Sequence, residues 1–449
     1  MLYRKVTEFI ENFYANSRNA LLLTGARQTG KTFSVREFGK KWKSFVEINF
    51  IEHPEAVGAF SGVTSASEIL LRLSALVSEP LIPGETLIFF DEVQECKDIV
   101  TAIKFLVDDG TYRYILSGSL PGVELKDIKS EPVGYMGIKE MFPLDFEEFC
   151  LNLGVNPTVL EALKESWLKE KEVDGIVHAK MLELFRLYLV VGGMPAAVVK
   201  YKDTNNLQTV MTEQQDIIAL YRRDISKYAE RDKLTIKEIY DLIPSELDAR
   251  NKRFILKSLN QHAKFERYKD SFLWVKDAGV AIPVYNVSEL RAPLKLSETR
   301  NLFKLFLNDV GLLAAQYADG IQLRIIRGDK DINFGSIYEN AVAQELVCHG
   351  FAAYYYNNKQ RGEIDFVIQE GNRVVPLEVK SGKDYDSHRA LNNIMANPGP
   401  DIRGAIVFSN ANLSRRGEIL YAPIYMIMFL QRDETAPEHY TIDLGPLAG

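Results

Sequence analysis

The chain has 449 residues, of which 46% are hydrophobic and 26% charged, with a formal net charge of −7. That composition excludes wholesale disorder and allows several ordinary cores, about three domains at roughly 150 residues each. The acidic balance removes any chain-wide nucleic-acid signal, and the three scattered cysteines, Cys96, Cys150 and Cys348, offer neither a disulfide framework nor a metal-ligand spacing.

Val6, Phe9, Ile10, Phe13 and Tyr14 recur at helical spacing and predict an amphipathic helix over residues 1–18. Ala20-Leu21-Leu22-Leu23 reads as a buried strand. Residues 25–32 follow it as Gly-Ala-Arg-Gln-Thr-Gly-Lys-Thr, which fits G-x-x-x-x-G-K-S/T at every fixed position. A helix-compatible stretch, 33–41, comes next. Gly25 and Gly30 let the backbone curl so that consecutive N–H groups point at phosphate oxygens, and the next helix adds its N-terminal dipole. The expected cradle comprises Gly25, Ala26, Arg27, Gln28, Thr29, Gly30, Lys31, Thr32 and Phe33. Lys31 is expected to reach the β- and γ-phosphates of ATP, and Thr32 to hold Mg²⁺.

Phe45–Phe50 predicts a second strand. Thr86 to Asp91 predicts a third, apolar until the carboxylates Asp91 and Glu92. Asp91 is placed to bind Mg²⁺ through water, and Glu92 to polarise the attacking water. Tyr112–Leu116 predicts a fourth strand. It ends at Ser117-Gly118-Ser119, whose hydroxyls either sense a γ-phosphate or merely turn the chain. Strands alternating with helix-length stretches predict an α/β fold with a parallel sheet covered on both faces. This unit is expected to close near Phe142-Pro143-Leu144.

From 145 to 229 the pattern is helical, broken at Val190-Val191-Gly192-Gly193-Met194-Pro195, which reads as a tight turn. Arg222 and Arg223 are candidates either for a charge-stabilising finger toward a neighbouring nucleotide or for a surface ion pair with Asp224. Residues 231–290 read as a small winged-helix unit. It would hold a helix ended by Pro244, a second helix through Phe254-Ile255 and Ser258-Leu259, and a strand at Ser271–Val275. Between Arg250 and Lys269 stand seven Lys or Arg and one acid, Glu266. Such a surface suits phosphates or a major groove, or equally a solvated helix face.

In the C-terminal third, Ile364–Ile368 and Arg373–Lys380 predict paired strands joined by a Gly371-Asn372 turn. Glu378 and Lys380 then share one face, and a helix over Ile337–Cys348 offers Glu339. Asp365, Glu378 and Glu339 are candidate ligands for one or two Mg²⁺ or Mn²⁺ ions. Lys380 would stabilise an attacking hydroxide or a pentavalent phosphate. The alternative is a solvated hairpin edge.

With GARQTGKT, LIFFDE and LSGSL, the N-terminal part resembles the AAA-type ATPases. Nearly the whole chain resembles the bacterial and archaeal AAA-like ATPases with a C-terminal domain of unknown function. The supporting stretches are FPLDFEEF at 142–149, GGMPAAV at 192–198, YRRDI at 221–225, KLFLNDVGLLAA at 304–315, GSIYENAVAQEL at 335–346, RGEIDFVI and PLEVKSGK. The break at Gly193-Met194-Pro195 looks like a G-x-P motif whose lid proline packs near adenine, which makes Pro195 a nucleotide contact. The C-terminal domain resembles the PD-(D/E)xK restriction-endonuclease-like fold. Asp365, Glu378 and Lys380 match its D…E-x-K pattern, Glu339 matches its helix acid, and Ile364 stands where a proline is expected.

The resemblance implies a P-loop AAA-type ATPase core at 1–145, a helical lid at 146–229, a winged-helix-like domain at 230–292 and a nuclease-like α/β domain at 293–449. It implies an Mg²⁺-dependent ATPase whose nucleotide state is coupled to a C-terminal domain that binds or cleaves DNA. The alternative is an ATP/ADP-controlled switch whose C-terminal domain is a non-catalytic module for a protein or nucleic-acid partner. The absence of an apolar leader at Met1–Lys5 or of a segment near the roughly 20 residues of a membrane span leads to the expectation of a cytoplasmic protein with no membrane partner. Oligomeric state stays open.

Overall fold

The apolar runs of the N-terminal part become the strands of one parallel sheet. They are β1 (Ala20–Thr24), β2 (Ser44–Asn49), β3 (Thr86–Asp91), β4 (Arg113–Ser117) and β5 (Met136–Glu140), in the order β2-β3-β4-β1-β5. The computed structural model describes residues 2–118, 134–228, 232–249, 251–261, 264–317, 320–329, 334–382 and 384–432. Both faces of β1 are covered, which is why it carries no polar alternation. Ala20 and Leu22 pack with Ile88 and Phe90 on one face, and Leu21 and Leu23 with Leu87 and Phe89 on the other. Helices α1 (Lys5–Asn16), α2 (Lys31–Gly39), α3 (Ala66–Ser74) and α4 (Lys97–Asp109) flank the sheet. Strand β5 was not expected. It is an edge strand with no apolar run, and its Ile138 stays 63% exposed.

Five helices follow: α5 (Phe146–Asn152), α6 (Pro157–Lys169), α7 (Gly175–Val191), α8 (Pro195–Thr204) and α9 (Leu207–Tyr228). The break at 190–195 is a turn between α7 and α8. Gly192 adopts φ 73°, and a Cβ on Gly193 would stand 2.0 Å from the Leu144 carbonyl oxygen.

The next segment departs from the sequence expectation. Helix α10 (Lys233–Asp248) continues through Pro244 instead of ending there. Ile239, Tyr240, Ile243 and Leu247 are buried along it, and that burial outweighs the one backbone bond the proline forfeits. The strand expected at Ser271–Val275 lies inside a helix, α11 (Phe265–Asp277). Tyr268, Phe272 and Val275 recur at intervals of four and three and pack inward, a helical period hidden in an aromatic run. Phe254-Ile255 precedes a single 3₁₀ turn at Leu256–Ser258 and is not helical. The hairpin after α11, β6 (Ala281–Val287) with β7 (Glu298–Leu307), is no free wing, because β6 also pairs with β8 (Tyr354–Asn358).

That second sheet is mixed. It continues through β9 (Gly362–Glu370), β10 (Arg373–Val379), β11 (Ala405–Ser409), β12 (Ser414–Arg416) and β13 (Ile419–Pro423), in the order β12-β13-β11-β10-β9-β8-β6-β7. The expected β9–β10 hairpin is present and antiparallel, with Gly371 at φ 56° in its turn. Helix α12 (Gly335–Cys348) packs on this sheet with almost its whole length buried. One apolar core runs from Ala26 through Leu144, Tyr188 and Tyr221 to Phe306 and Met428. The helical segment and the second sheet are therefore packed as one body.

Candidate nucleotide site and the C-terminal charge cluster

The end of β1 leads into a loop of unusual backbone. Gly25, Gln28 and Gly30 all take positive φ, at 126°, 65° and 92°. Gly25 has no alternative, since a Cβ there would meet the Met141 carbonyl oxygen at 2.2 Å. Lys31 opens α2 and is 8% exposed; its Nζ donates to the carbonyls of Gly25 at 3.0 Å and Ala26 at 2.7 Å. Among the described residues it has no carboxylate at ion-pair distance. Burial pushes its pKa down to about 8, against the pull of Glu92 and Asp91. A buried ammonium held only by carbonyl dipoles is a site prepared for an anion.

Because β4 lies between β1 and β3, the ends of three strands converge beside this loop. Asp91, 2% exposed, accepts from Thr32 Oγ1 at 2.9 Å, from Asn49 Nδ2 at 3.4 Å and from Ser117 Oγ. Burial raises its pKa, and the two hydroxyls pull it back. Thr32 and Asp91 thus already share one small oxygen-lined space, which suits a hard divalent cation. Ser117 is engaged with Asp91; Ser119 lies outside the described residues. Glu92 follows in left-handed conformation at φ 57° and accepts from Gln94 Nε2.

A cavity of about 660 Å³ opens over the loop, lined by Arg27, Gln28, Gly30, Lys31, Thr32, Phe33 and Glu92 on one side and by Pro195, Ala196 and Val199 of α8 on the other. Pro195 thus lines the same cavity as Lys31 and Glu92. Three contacts that sequence reasoning missed hold this cavity in shape. Arg4, 6% exposed, donates to the carbonyls of Thr29 at 2.8 Å and Phe142 at 2.7 Å. Asn49 joins Asp91, a pairing available from the strand ends alone. Arg27 Nη1 meets Asp224 Oδ1 of α9 at 3.0 Å. Neither Arg222 nor Arg223 takes Asp224, because residues one or two apart on a helix do not face each other. Arg222 pairs with Asp241 at 2.7 Å instead.

Residues 17–150 match the AAA domain family. The N-terminal part is therefore similar to the AAA domains. Residues 182–322 and 334–427 match two domains of unknown function, DUF8612 and DUF4143. Solved structures similar to the chain include the Walker-type ATPase PABY2304 of Pyrococcus abyssi, at 15% identity over 70% of this chain and 95% of that one, with a TM-score of 0.44. The Orc1 protein of Aeropyrum pernix in complex with DNA matches at 14% identity over 72% and 92%, with a TM-score of 0.26. RuvB of Thermotoga maritima matches at 11% identity over 65% and 91%, with a TM-score of 0.28. No curated protein matches.

Away from the AAA domain, the second sheet gathers the other predicted residues. Val379 N donates to Asp365 Oδ2 at 2.9 Å, and Lys380 Nζ lies 2.7 Å from Glu378 Oε2. Burial and the nearby Asp365 push the Glu378 carboxyl up to about 8. Glu339 is 2% exposed and does not turn to this trio as a ligand partner. Its oxygens are taken by Lys252 and, at 3.4 Å, by Lys304. Lys304, fully buried on β7, also meets Glu363 at 3.1 Å. Burial works against its charge, yet Glu339, Asp365 and Glu363 hold its pKa above the usual lysine range. Among the described residues no group of three or more His, Cys, Asp or Glu stands together as a metal centre requires. Of the three expected ligands, Glu339 is paired with Lys252 and Lys304 and Glu378 with Lys380, while Asp365 accepts from the Val379 backbone. Of the basic run between 250 and 269, Arg250 lies outside the described residues, Lys252 is spent on Glu339, and Lys257, Lys264 and Arg267 face solvent. Among the described residues no helix is long and apolar enough to cross a membrane.

Proposed function

We propose that the chain binds ATP with Mg²⁺ at the P-loop, hydrolyses it, and passes its nucleotide state to the C-terminal α/β domain. The observation that carries this is Lys31, a buried ammonium with no carboxylate at ion-pair distance among the described residues and drawn by the charges of Glu92 and Asp91. Lys31 and the loop N–H groups bind the phosphates; Thr32 and Asp91 would hold Mg²⁺, which supplies charge neutralisation at the phosphate oxygens. Glu92 orients the attacking water, Ser117 fixes Asp91, and Pro195 with Ala196 closes the far wall. Coupling runs through α9. Tyr221 Oη donates to the Arg27 carbonyl at 3.0 Å and accepts from Asn308 Nδ2 at 3.3 Å, so one hydroxyl joins the P-loop to the end of β7.

For the C-terminal domain, the lysine pairing of Glu339 and Glu378 favours a non-catalytic partner-binding module. The exposed basic residues keep DNA as a candidate partner, and Asp365, Glu378 and Lys380 keep metal-dependent cleavage as the competing reading. Turnover of the purified chain with and without DNA, beside a nuclease assay in Mg²⁺ and Mn²⁺, separates these. Lys31→Ala is expected to abolish nucleotide binding, and Glu92→Gln to bind ATP with little turnover. Unchanged turnover in Glu92→Gln would remove its assigned role. Cleavage that disappears in Glu378→Ala would establish the nuclease reading. If charge reversal at Lys257, Lys264 and Arg267 leaves DNA affinity and its salt slope unchanged, that face is not the DNA surface.

A further inference from the structure

Arg27 is held by the lid at both ends. Its guanidinium meets Asp224 at 3.0 Å and its carbonyl accepts from Tyr221 at 3.0 Å; the two lid residues lie three apart on one face of α9. The Arg27 side chain lines the same cavity as Lys31 and Glu92. It is 22% exposed and its Asp224 partner 14%, so the pair stands at the cavity wall and not on open surface. A guanidinium fork donates to a carboxylate or a phosphate in the same bidentate geometry, so a terminal phosphate reaching Arg27 competes with Asp224 for it.

We infer that Asp224 is a placeholder for the terminal phosphate of ATP: Arg27 exchanges this carboxylate for the γ-phosphate, and the exchange both discriminates triphosphate from diphosphate and releases α9. The inference rests on the proposed ATP site. Once Arg27 turns away, Asp224 faces Glu92 and a triphosphate with less opposing charge, and α9 is repelled from the P-loop. Burial and then Glu92 already hold the Asp224 carboxyl above its ordinary range, against Arg27 and Lys227. A nucleoside diphosphate offers no third phosphate, so the pair stays closed. Because Tyr221 also contacts Asn308, release of α9 loosens a contact with β7.

The test is the affinity of the full chain for ATPγS and for ADP in Mg²⁺, measured by calorimetry for the wild type, Arg27→Ala, Arg27→Lys and Asp224→Asn. The wild type is expected to prefer the triphosphate by about tenfold or more. Arg27→Ala should bring that preference close to unity, and Arg27→Lys, with a point charge instead of a fork, should fall between. Asp224→Asn should tighten ATPγS binding by roughly tenfold while ADP changes by less than about twofold. The inference is overturned by equal wild-type affinity for the two nucleotides, by a preference that survives Arg27→Ala, or by Asp224→Asn shifting both ligands alike, as a purely structural ion pair would. If Arg27→Ala fails to melt cooperatively, Asp224→Asn decides. A wild type that binds neither nucleotide brings down the ATP site itself, a result distinct from loss of discrimination alone.

Discussion

Lys31 is a cation that the fold keeps uncomfortable. Its apo pKa of about 8 follows first from burial, and bound phosphates would raise it, so nucleotide binding takes up a proton once the pH exceeds that value. Affinity should therefore be flat below pH 8 and weaken above it, by at most about tenfold per pH unit. Titrating the dissociation constant from pH 7 to 10 checks this; a flat profile would mean that the ammonium is not the phosphate contact. Lys304 is the opposite case, buried and fully matched. Lys304→Met leaves Glu339 and Glu363 short of a counter-ion and should cost about 3 kcal/mol of unfolding free energy. Adding Glu339→Gln should recover part of that in denaturant melts.

At the scale of elements, the turn between α7 and α8 is the most tightly specified joint. Gly193→Ala drives a Cβ into backbone and should destabilise by about 2–4 kcal/mol. Gly175→Ala, whose Cβ meets nothing within 4 Å, should change stability by less than about 0.5 kcal/mol. Thermal melts of the two variants give the contrast. Elements with an apolar run and a local boundary signal were legible: β1, β3, the P-loop between β1 and α2, the break before Pro195, and the β9–β10 hairpin. The misreadings arose where tertiary burial overrode a local cue. Pro244 looked like a stop, yet the buried face of α10 carries the helix on. Ser271–Val275 looked like a strand because its aromatic density masked a period of three and four. Edge strand β5 carried no apolar signal. Of the candidate sites, the loop at 25–32 and Asp91 could be placed at the ends of β1 and β3 because their cues are local in sequence. Asp224, Arg4 and Lys304 could not, because their partners lie 197, 25 and 35 residues away.

Across the whole molecule, helices α5 to α9 and the second sheet share one apolar core, and Asp309 pins the turn between α7 and α8 to the segment after β7. Its buried carboxylate accepts from Gly193 N at 2.6 Å and Leu312 N at 3.0 Å. Burial lifts its pKa to about 6, against those N–H donors. The folded state thus holds the proton more tightly than the unfolded chain does. This contribution to stability is full below about pH 4 and lost as pH rises through 6, amounting to about 3 kcal/mol. The difference in unfolding free energy between wild type and Asp309→Asn, followed from pH 4 to 7, should shift by that amount; a constant difference would mean that Asp309 stays ionised throughout.

The order of the first sheet also sets a timetable for synthesis. Strand β1 leaves the ribosome first, yet its two neighbours are β4 and β5, and Thr24 O receives its bond from Met141 N at 2.8 Å. Arg27 waits longer still for Asp224, and Ala26 for Gly279, whose added Cβ would lie 2.9 Å from its amide nitrogen. Because domains emerge and fold from the N-terminus onward, the phosphate cradle is written early and finished late. The far wall of the cavity, Pro195 to Val199, and the Asp224 partner of Arg27 are added only after the phosphate loop and Asp91 have been made.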